Sequence, residues 1–336
     1  MGLTGSKLGC GEGGCGACTV LISQYVAHHI EHRTVNACLA PICSVDGCHV
    51  VTIEGLGSVS KSNLHPTQSR LAELSGSQCG FCTPGIVMSL YGTITRSDKS
   101  SSLTMHDIED ALDGNLCRCT GYRPILDAAK SFACDIDKLP CRTASTTKTT
   151  STSLDKCLLF PKDNTSPTNQ IEFPHQLHEY IPRSLHIKGT RFFCFRIYSY
   201  RTICLGSTVE WYRPVTLSEL LHLRHIYPGT ASKLVFGNTE VQIETKFKRI
   251  QYPRLISITH VPELKTLKRT ETSLIIGAGV TLSCLQSTLV EWNKNSKESD
   301  DGGICQAMID QLKYFASTQI RNVDSFGGNI INASPM

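Results

Sequence analysis

The sequence predicts a multidomain chain that mixes α-helices and β-strands, an α+β fold class, on three observations. Eight of its 17 cysteines form two quartets within the first 119 residues. A Ser/Thr-rich stretch follows at about residues 141–170, and alternating strand and helix patterns resume from Thr208. At roughly 100 to 200 residues per domain, 336 residues suffice for two or three domains.

The first quartet has the spacing Cys10-x4-Cys15-x2-Cys18, with Cys38 further along the chain. This is the spacing of plant-type ferredoxins, in which four thiolates hold one 2Fe-2S cluster. Glycine or alanine stands beside each of the first three cysteines, so the backbone can approach a cluster and point N–H groups at its sulfurs. The quartet therefore predicts one 2Fe-2S cluster.

The second quartet consists of Cys79-x2-Cys82 and Cys117-x-Cys119. Each pair precedes a predicted helix: Thr83 can cap the first with Pro84 at its first position, and the second runs from about Thr120 to Lys130. Helix N-termini carry roughly +0.5 charge each, which would stabilise an anionic cluster between them. A third helix is expected from Thr104 to Asp113, so this region predicts a small helical bundle with a second cluster.

Disulfides and structural zinc are the alternative interpretations of these cysteines. A disulfide framework suits a small secreted chain, but no charged and then apolar signal segment follows Met1. Zinc is the stronger alternative, because two closely spaced pairs can make a four-cysteine site, yet the x4-then-x2 triplet and the Cys-x-Cys pair suit zinc poorly. The other nine cysteines show no ligand spacing and are expected to be ordinary buried or reduced thiols.

The third region opens with Thr216-Leu217-Ser218-Glu219, a capping box for a helix through Leu223. A short strand at Lys233–Phe236 then leads into the turn Gly237–Glu240, whose main-chain N–H groups could receive a diphosphate. The loop at residues 276–281 and the glycine pair at 327–328 offer similar turns. Each of these signals, taken singly, also fits an ordinary turn.

Four segments around the two cysteine quartets resemble the molybdenum hydroxylases, the family of xanthine dehydrogenases and aldehyde oxidases. They are residues 4–20, 35–41, 76–86 and 114–125. The resemblance implies a β-grasp 2Fe-2S ferredoxin-like domain over residues 1–57 and a four-helix 2Fe-2S-binding domain over 58–140. It further implies a linker over 141–205 and an FAD-binding domain over 206–336. Family members have β-strands before residue 4 and further FAD-domain residues after 336, so both terminal domains are expected to be truncated.

The resemblance also implies a path for electrons. In the family, electrons from a purine or an aldehyde leave a molybdenum centre, pass through both clusters to FAD, and in the dehydrogenase form continue to NAD. The second cluster lies nearer the molybdenum, and Gln78 matches a glutamine that touches the molybdopterin. The molybdopterin itself would belong to a domain or subunit outside these residues, so no hydroxylation chemistry is expected within them.

Residues 237–240, 276–281, 311–316 and 327–335 resemble the family's FAD domain, which is similar to the vanillyl-alcohol-oxidase type of flavin fold. By carry-over, the diphosphate would be cradled by Leu234, Val235, Phe236, Gly237, Asn238, Thr239, Glu240 and Val241. Phe315 would lie by the flavin, and the cofactor would be covered by Ser325, Phe326, Gly327, Gly328 and Asn329. Two positions depart from the family: Gln242 stands where glycine is usual, and Asp324 adds negative charge beside the expected diphosphate.

The sequence is therefore interpreted as the electron-transfer portion of a xanthine dehydrogenase-like oxidoreductase. The alternatives are an aldehyde oxidase fragment, and a non-catalytic degenerate copy or separate electron-carrier subunit. A net charge of +4 without a basic stripe predicts no nucleic-acid partner, and the lack of a run of ~20 apolar residues predicts no membrane span. We expect a cytoplasmic protein, with the peroxisome as the alternative location, and a homodimer as in the family.

Overall fold

The computed structural model describes residues 2–96, 103–135, 171–196, 202–270, 273–295 and 302–334. The predicted Ser/Thr-rich stretch at 141–170 lies outside these residues. The chain divides into two compact units, the first formed by residues 1–9, 14–34 and 49–174, and the second by residues 10–13, 35–48 and 175–336. Both combine helices and strands, as the predicted mixed fold class requires.

The first unit contains a three-stranded sheet in the order β2-β1-β3. Its strands are β1 Thr19–Val26, β2 His29–Asn36, of which the last two residues belong to the second unit, and β3 His49–Val51. β1 and β3 are antiparallel, with Leu21 opposite Val51. The first five residues of β1 are buried, and of these Leu21 packs in one core with residues of the helices that follow.

The helices of the first unit are α1 Ile53–Leu56, α2 Pro66–Glu73, α3 Thr83–Arg96, α4 Met105–Asp110 and α5 Arg123–Lys130. Helices α3 and α5 begin directly after the two cysteine loops, as expected from the sequence. Thr104 caps α4 in a capping box with Asp107. The helix ends at Asp110, three residues before the expected end, and a turn continues to Asp113.

The second unit is built on a four-stranded sheet in the order β4-β5-β7-β6. The strands are β4 Leu185–Arg196, β5 Thr202–Arg213, β6 Lys233–Val235 and β7 Arg254–Ser257. β4 and β5 form an antiparallel hairpin, whereas β7 is parallel to both β5 and β6. A separate antiparallel pair consists of β8 Leu267–Arg269 and β9 Leu274–Ile276.

Six helices complete the description of the second unit: α6 Leu217–Ile226, α7 Val241–Lys246, α8 Leu282–Asn295, α9 Gly302–Tyr314, α10 Thr318–Arg321 and α11 Phe326–Ile331. Thr216 caps α6 as expected, and the helix extends three residues past Leu223. Helices α8 and α9 pack around a core that includes the fully buried Leu282 and Leu289. Within the described residues, no helix is long and apolar enough to span a bilayer.

A buried arginine anchors the segment 35–48 within the second unit. The side chain of Arg213, at the end of β5, is 2% exposed, and its Nη2 lies 2.8 Å from Asp46 Oδ2. The same nitrogen donates to the hydroxyl of Tyr180 and to the carbonyl of Arg183, both at 3.0 Å. The Tyr180 hydroxyl donates in turn to Asp46.

We expect Asp46→Ala to lower the free energy of unfolding by about 2 kcal/mol, as read from urea denaturation. The substitution leaves the buried guanidinium without its counter-charge, but Asp46 is 45% exposed and Arg213 keeps two other acceptors, so solvent screening keeps the loss below that of a fully buried pair. The bond from Tyr180 lowers the pKa of Asp46, against a smaller opposing effect of burial.

The lowered pKa of Asp46 determines how the effect of Asp46→Ala on stability depends on pH. A carboxyl with a depressed folded-state pKa stabilises the fold above its unfolded pKa of about 4, and loses this contribution as pH falls through the folded value. The difference between Asp46→Ala and the unchanged chain should therefore be full at neutral pH and shrink in acid. An equal difference at neutral pH and well below pH ~3 would contradict the assignment.

Candidate functional site

The four cysteines of the second quartet lie in two loops of the first unit. Cys79 and Cys82 stand in the loop before α3, and Cys117 and Cys119 in the loop before α5. Side-chain hydrogen bonds join the sulfur of Cys79 to that of Cys119, and the sulfur of Cys82 to that of Cys117. The structure therefore brings the quartet together as two pairs, each with one cysteine from either loop.

Main-chain N–H groups point at these sulfurs. Phe81 N–H bonds the sulfur of Cys79, and Thr120 N–H bonds that of Cys117. The Thr120 hydroxyl oxygen also lies 3.1 Å from Cys117 Sγ. Such donors stabilise thiolates and any cluster they hold, because they offset the negative charge on the sulfurs.

The thiols differ in acidity as these surroundings require. Burial disfavours the Cys117 thiolate, but the bonds from Thr120 and its neighbours outweigh it and lower the pKa of Cys117 to about 7. Burial raises the pKa of Cys82 to about 12, and its bond to Cys117 adds to the effect. One thiol of this pair thus ionises first and accepts a hydrogen bond from the other.

The arrangement suits a two-iron cluster better than a single ion. Among the described residues, no three His, Cys, Asp or Glu side chains converge on a position for one metal ion. Four cysteines shared by the two irons of a 2Fe-2S cluster supply two thiolates to each iron, which is the pairing observed. No disulfide is present in the part of the chain that the structure describes.

Within the first unit, three glycines bring the loop of Cys15 and Cys18 against the two loops that carry the second quartet. A methyl group placed on Gly85, in the first turn of α3, would overlap the carbonyl oxygen of Gly16. A methyl group on Gly16, which has a φ of +68°, would overlap the carbonyl oxygen of Gly114. We call Gly16, Gly85 and Gly114 the glycine junction, because the backbones touch there without side chains.

Hydrogen bonds cross the glycine junction from one cysteine loop to the other. Leu116 N–H donates to the carbonyl of Cys15 at 3.0 Å, so the neighbour of Cys117 is bonded directly to a member of the first quartet. The buried side chain of Asn115 adds a bond to the Gly16 carbonyl at 3.3 Å and accepts from Ser89 Oγ at 2.7 Å.

The first quartet is divided by the structure between the two units: Cys15 and Cys18 belong to the first, and Cys10 and Cys38 to the second. In the second unit, Asn36 Nδ2 donates to the carbonyl of Gly13 at 3.1 Å, which ties the segment of Cys10 to that of Cys38. Glu12 N–H points at the sulfur of Cys10, at 3.4 Å.

The turn expected to receive a diphosphate follows β6 in the second unit. A side chain at Gly237 would overlap the carbonyl of Val323, so this position needs glycine. Asn238 has a φ of +63°, a left-handed conformation that asparagine tolerates well. Its Nδ2 donates to the carbonyl of Leu39, the residue after Cys38, at 2.8 Å.

The other two glycine loops converge on the same turn. Gly327 N–H donates to the carbonyl of Ala278 at 3.0 Å, and Thr281 forms a β-bridge with Ser325. A methyl group on Gly279 would lie 3.3 Å from the ring of Phe236. The three weak sequence signals thus combine into one group of adjoining turns within the second unit.

Phe315 packs with Phe326 against the core between α8 and α9. Arg321 donates to the carbonyls of Phe315 and Ala316, both at 2.8 Å, and so positions the segment that the resemblance places by the flavin. Gln242, the first departure from the family, lies on α7 with its Oε1 3.5 Å from Asn238 Nδ2. Asp324, the second, accepts a hydrogen bond from Thr239.

The residues of this group fit a phosphate-bearing cofactor. One hydrogen-bond donor in it, Asn329 Nδ2, is buried without a partner, whereas the unpaired Asn238 Oδ1 is an acceptor and cannot bond a phosphate. Asn329 is 3% exposed, so water does not satisfy its amide at the surface. An unpaired buried donor is costly unless a ligand accepts its hydrogen bond, which points to a missing partner at this place.

Two family profiles match the chain, the first described as a [2Fe-2S] binding domain and the second as an FAD binding domain in molybdopterin dehydrogenase. They match residues 52–130 and 207–336, respectively. The chain is 44% identical over 370 residues to a xanthine dehydrogenase of Oryza sativa subsp. japonica, across 100% of this chain and 25% of that protein. The chain belongs to the molybdenum hydroxylase family that includes the xanthine dehydrogenases.

A second sequence relative agrees with the membership. Identity to the xanthine dehydrogenase/oxidase of Gallus gallus is 42% over 375 residues, across 100% of this chain and 26% of that one. A solved aldehyde oxidoreductase from Desulfovibrio gigas is 38% identical over 40% of this chain and 14% of its own, with a TM-score of 0.34. The chain spans about a quarter of the length of the curated relatives it matches. The expectations of a 2Fe-2S domain, an FAD domain and an oxidoreductase family are confirmed.

Three residues that organise these sites were not predicted. Asn36 and Asn115 connect cysteine loops, and Arg321 positions Phe315. Both asparagines lie inside segments that carry the family resemblance, which was the available signal. Their roles depend on partners distant in sequence, Gly13 and Gly16, and no local pattern identifies such partners.

Proposed function

We propose that this chain is the electron-transfer part of a xanthine dehydrogenase-like oxidoreductase. One cluster would be held by Cys79, Cys82, Cys117 and Cys119, and the other by Cys10, Cys15, Cys18 and Cys38. The diphosphate of FAD would occupy the turn of residues 234–241, covered by residues 325–329, with Phe315 beside the flavin. When bound, the clusters supply one-electron chemistry and FAD supplies two-electron chemistry.

The observation that carries this proposal is the bond from Leu116 N–H to the carbonyl of Cys15. It places the residue next to Cys117 within 3.0 Å of a ligand residue of the other quartet. At the same place the backbones of the glycine junction approach so closely that an added methyl group on Gly16 or Gly85 would overlap a carbonyl oxygen. Two clusters held here would therefore be separated by a short, bonded stretch of protein, as a one-electron relay requires.

The chain's own residues would bind, orient and shield the redox groups. Main-chain N–H groups of Phe81 and Thr120 would donate to cluster sulfurs, and the N-termini of α3 and α5 would add favourable positive charge. Cys79 and Cys119 are exposed whereas Cys117 is buried. We infer that the exposed pair, next to the exposed Gln78, faces the molybdopterin domain or subunit.

The finer features of the family are part of the same proposal. We infer a β-grasp domain around the first quartet, a four-helix domain around the second, and a flavin domain of the vanillyl-alcohol-oxidase type. The complete enzyme would oxidise a purine, pass electrons to NAD and form a homodimer. The xanthine dehydrogenase relatives support these inferences by identity across the whole of this chain.

The composition of the purified protein tests the proposal. We expect anaerobic purification to yield about four irons, about four sulfides and one FAD per chain, with two EPR signals after reduction by dithionite. Zinc in place of iron, or a chain that holds neither iron nor flavin after reconstitution, would contradict it.

A further inference from the structure

Asp324 lies inside the group of turns proposed for FAD, in the segment between α10 and α11. One of its carboxylate oxygens, Oδ1, accepts a hydrogen bond from the Thr239 hydroxyl at 3.2 Å and one from Ser325 N–H at 3.0 Å. One carboxylate oxygen therefore connects the turn after β6 to the segment that follows α10.

Thr239 belongs to the turn that would receive the diphosphate, and Ser325 belongs to the segment that would cover the cofactor. A diphosphate carries acceptor oxygens only, so it needs the donors that the Asp324 carboxylate already uses. A donor nearby remains unused, because Asn329 Nδ2 is buried without a partner. The site thus offers hydrogen-bond donors to an anion while a resident anion occupies two of them.

We propose that Asp324 competes with the FAD diphosphate for Thr239 and Ser325, and thereby sets the affinity of this chain for FAD. The inference rests on the proposed flavin role of the second unit. Removal of the side chain would release both donors, and neutralisation of the carboxylate would weaken its hold on them and remove the like-charge repulsion, so that FAD binds more tightly in either case.

The charges around Asp324 favour this competition. In the described part of the chain, the charged side chain that acts on Asp324 is Glu240, which has the same sign. Glu240 is itself paired with Lys248 at 3.2 Å. Arg321, on the helix before Asp324, directs its guanidinium to the Phe315 and Ala316 carbonyls and to Thr318.

The pH dependence of FAD binding follows from the direction in which the pKa of Asp324 is shifted. Burial raises the pKa of Asp324, the bonds from Thr239 and Ser325 oppose this, and Glu240 adds to the rise. The competing carboxylate therefore becomes neutral at a higher pH than an ordinary aspartate would. FAD affinity should increase as pH falls through this raised pKa and reach its lowest value when the carboxylate is fully ionised.

The test is a titration of FAD into flavin-free protein at about pH 5.5 and at about pH 8, in which the quenching of flavin fluorescence gives the Kd. We expect Asp324→Asn, which keeps the shape and removes the charge, to lower Kd at least about tenfold at the higher pH and to flatten the pH dependence. Asp324→Ala should act in the same direction. Asp310→Asn, at an exposed position of α9, changes the net charge equally and should leave Kd unchanged.

Riboflavin, which lacks the diphosphate, is the matched ligand, and its Kd should not respond to Asp324→Asn. Unchanged FAD affinity in both Asp324 variants, or an equal gain in riboflavin affinity, would overturn the competition while leaving the flavin site in place. If neither the unchanged chain nor any variant binds FAD at either pH, the proposed flavin role itself is overturned.

Discussion

Cys82→Ser should remove one of the two iron-sulfur EPR signals and about half of the bound iron. Cys82 is partly buried against the main core of the first unit and pairs with Cys117, which is 5% exposed. A serine hydroxyl is a poor substitute for a thiolate as a ligand of an iron-sulfur cluster, and no other described cysteine is paired with Cys117 in this way. The second signal should remain.

Cys134→Ser is the matched control for that experiment. Cys134 is also in the first unit but is exposed and follows no ligand spacing, so its substitution should leave iron content and both signals unchanged. Full iron retention in Cys82→Ser would contradict the assignment of the second quartet. Equal loss in the two variants would show a general effect of thiol removal instead.

The second large effect, on the free energy of unfolding, is expected from a substitution at the glycine junction. In an ordinary helix, replacing glycine by alanine stabilises the fold by about 1 kcal/mol. In α3 the added methyl group of Gly85→Ala would overlap the carbonyl oxygen of Gly16, which is main chain and cannot rotate away. We expect the steric cost to win, with a net loss of about 3 kcal/mol and a lower urea midpoint for loss of the cluster absorbance.

Gly303→Ala provides the comparison. Gly303 is exposed in α9, and a methyl group placed on it meets no atom within 4 Å. This variant should be as stable as the unchanged chain or slightly more so. If Gly85→Ala matched it, the close backbone approach at the junction, and with it the short path between the two quartets, would be disproved.

The parts of the fold that the sequence predicted are those with local causes. The start of α4 follows from its capping box, in which Thr104 and Asp107 satisfy the first N–H groups, and a proline lies in the first turn of α3 and of α5. Thr83, predicted to cap α3, is instead the first residue of that helix, and the residue before α5 provides no side-chain cap. The quartets were found because cluster ligation constrains spacing within short loops. The end of α4 was placed three residues late, because Gly114 ends the turn that follows the helix, in which the hydrogen bonds of Leu112 and Asp113 span three residues instead of four.

The parts that the sequence did not predict depend on distant partners. Nothing near Arg213 in sequence indicates that its side chain is buried beside Asp46. Asp324 was recognised as an added charge, but only the fold shows that it uses the donor of Thr239, 85 residues earlier. The position of a residue along the chain predicts its chemistry, whereas its competition or cooperation with another residue requires the tertiary structure.

An anaerobic reductive titration tests the central claim, an electron relay through two clusters to FAD, most directly. Stepwise addition of dithionite, followed by EPR and flavin absorbance on the same sample, should consume about four electrons per chain, one for each cluster and two for FAD. Uptake of about one electron, with one cluster signal and no flavin bleaching, would contradict the relay.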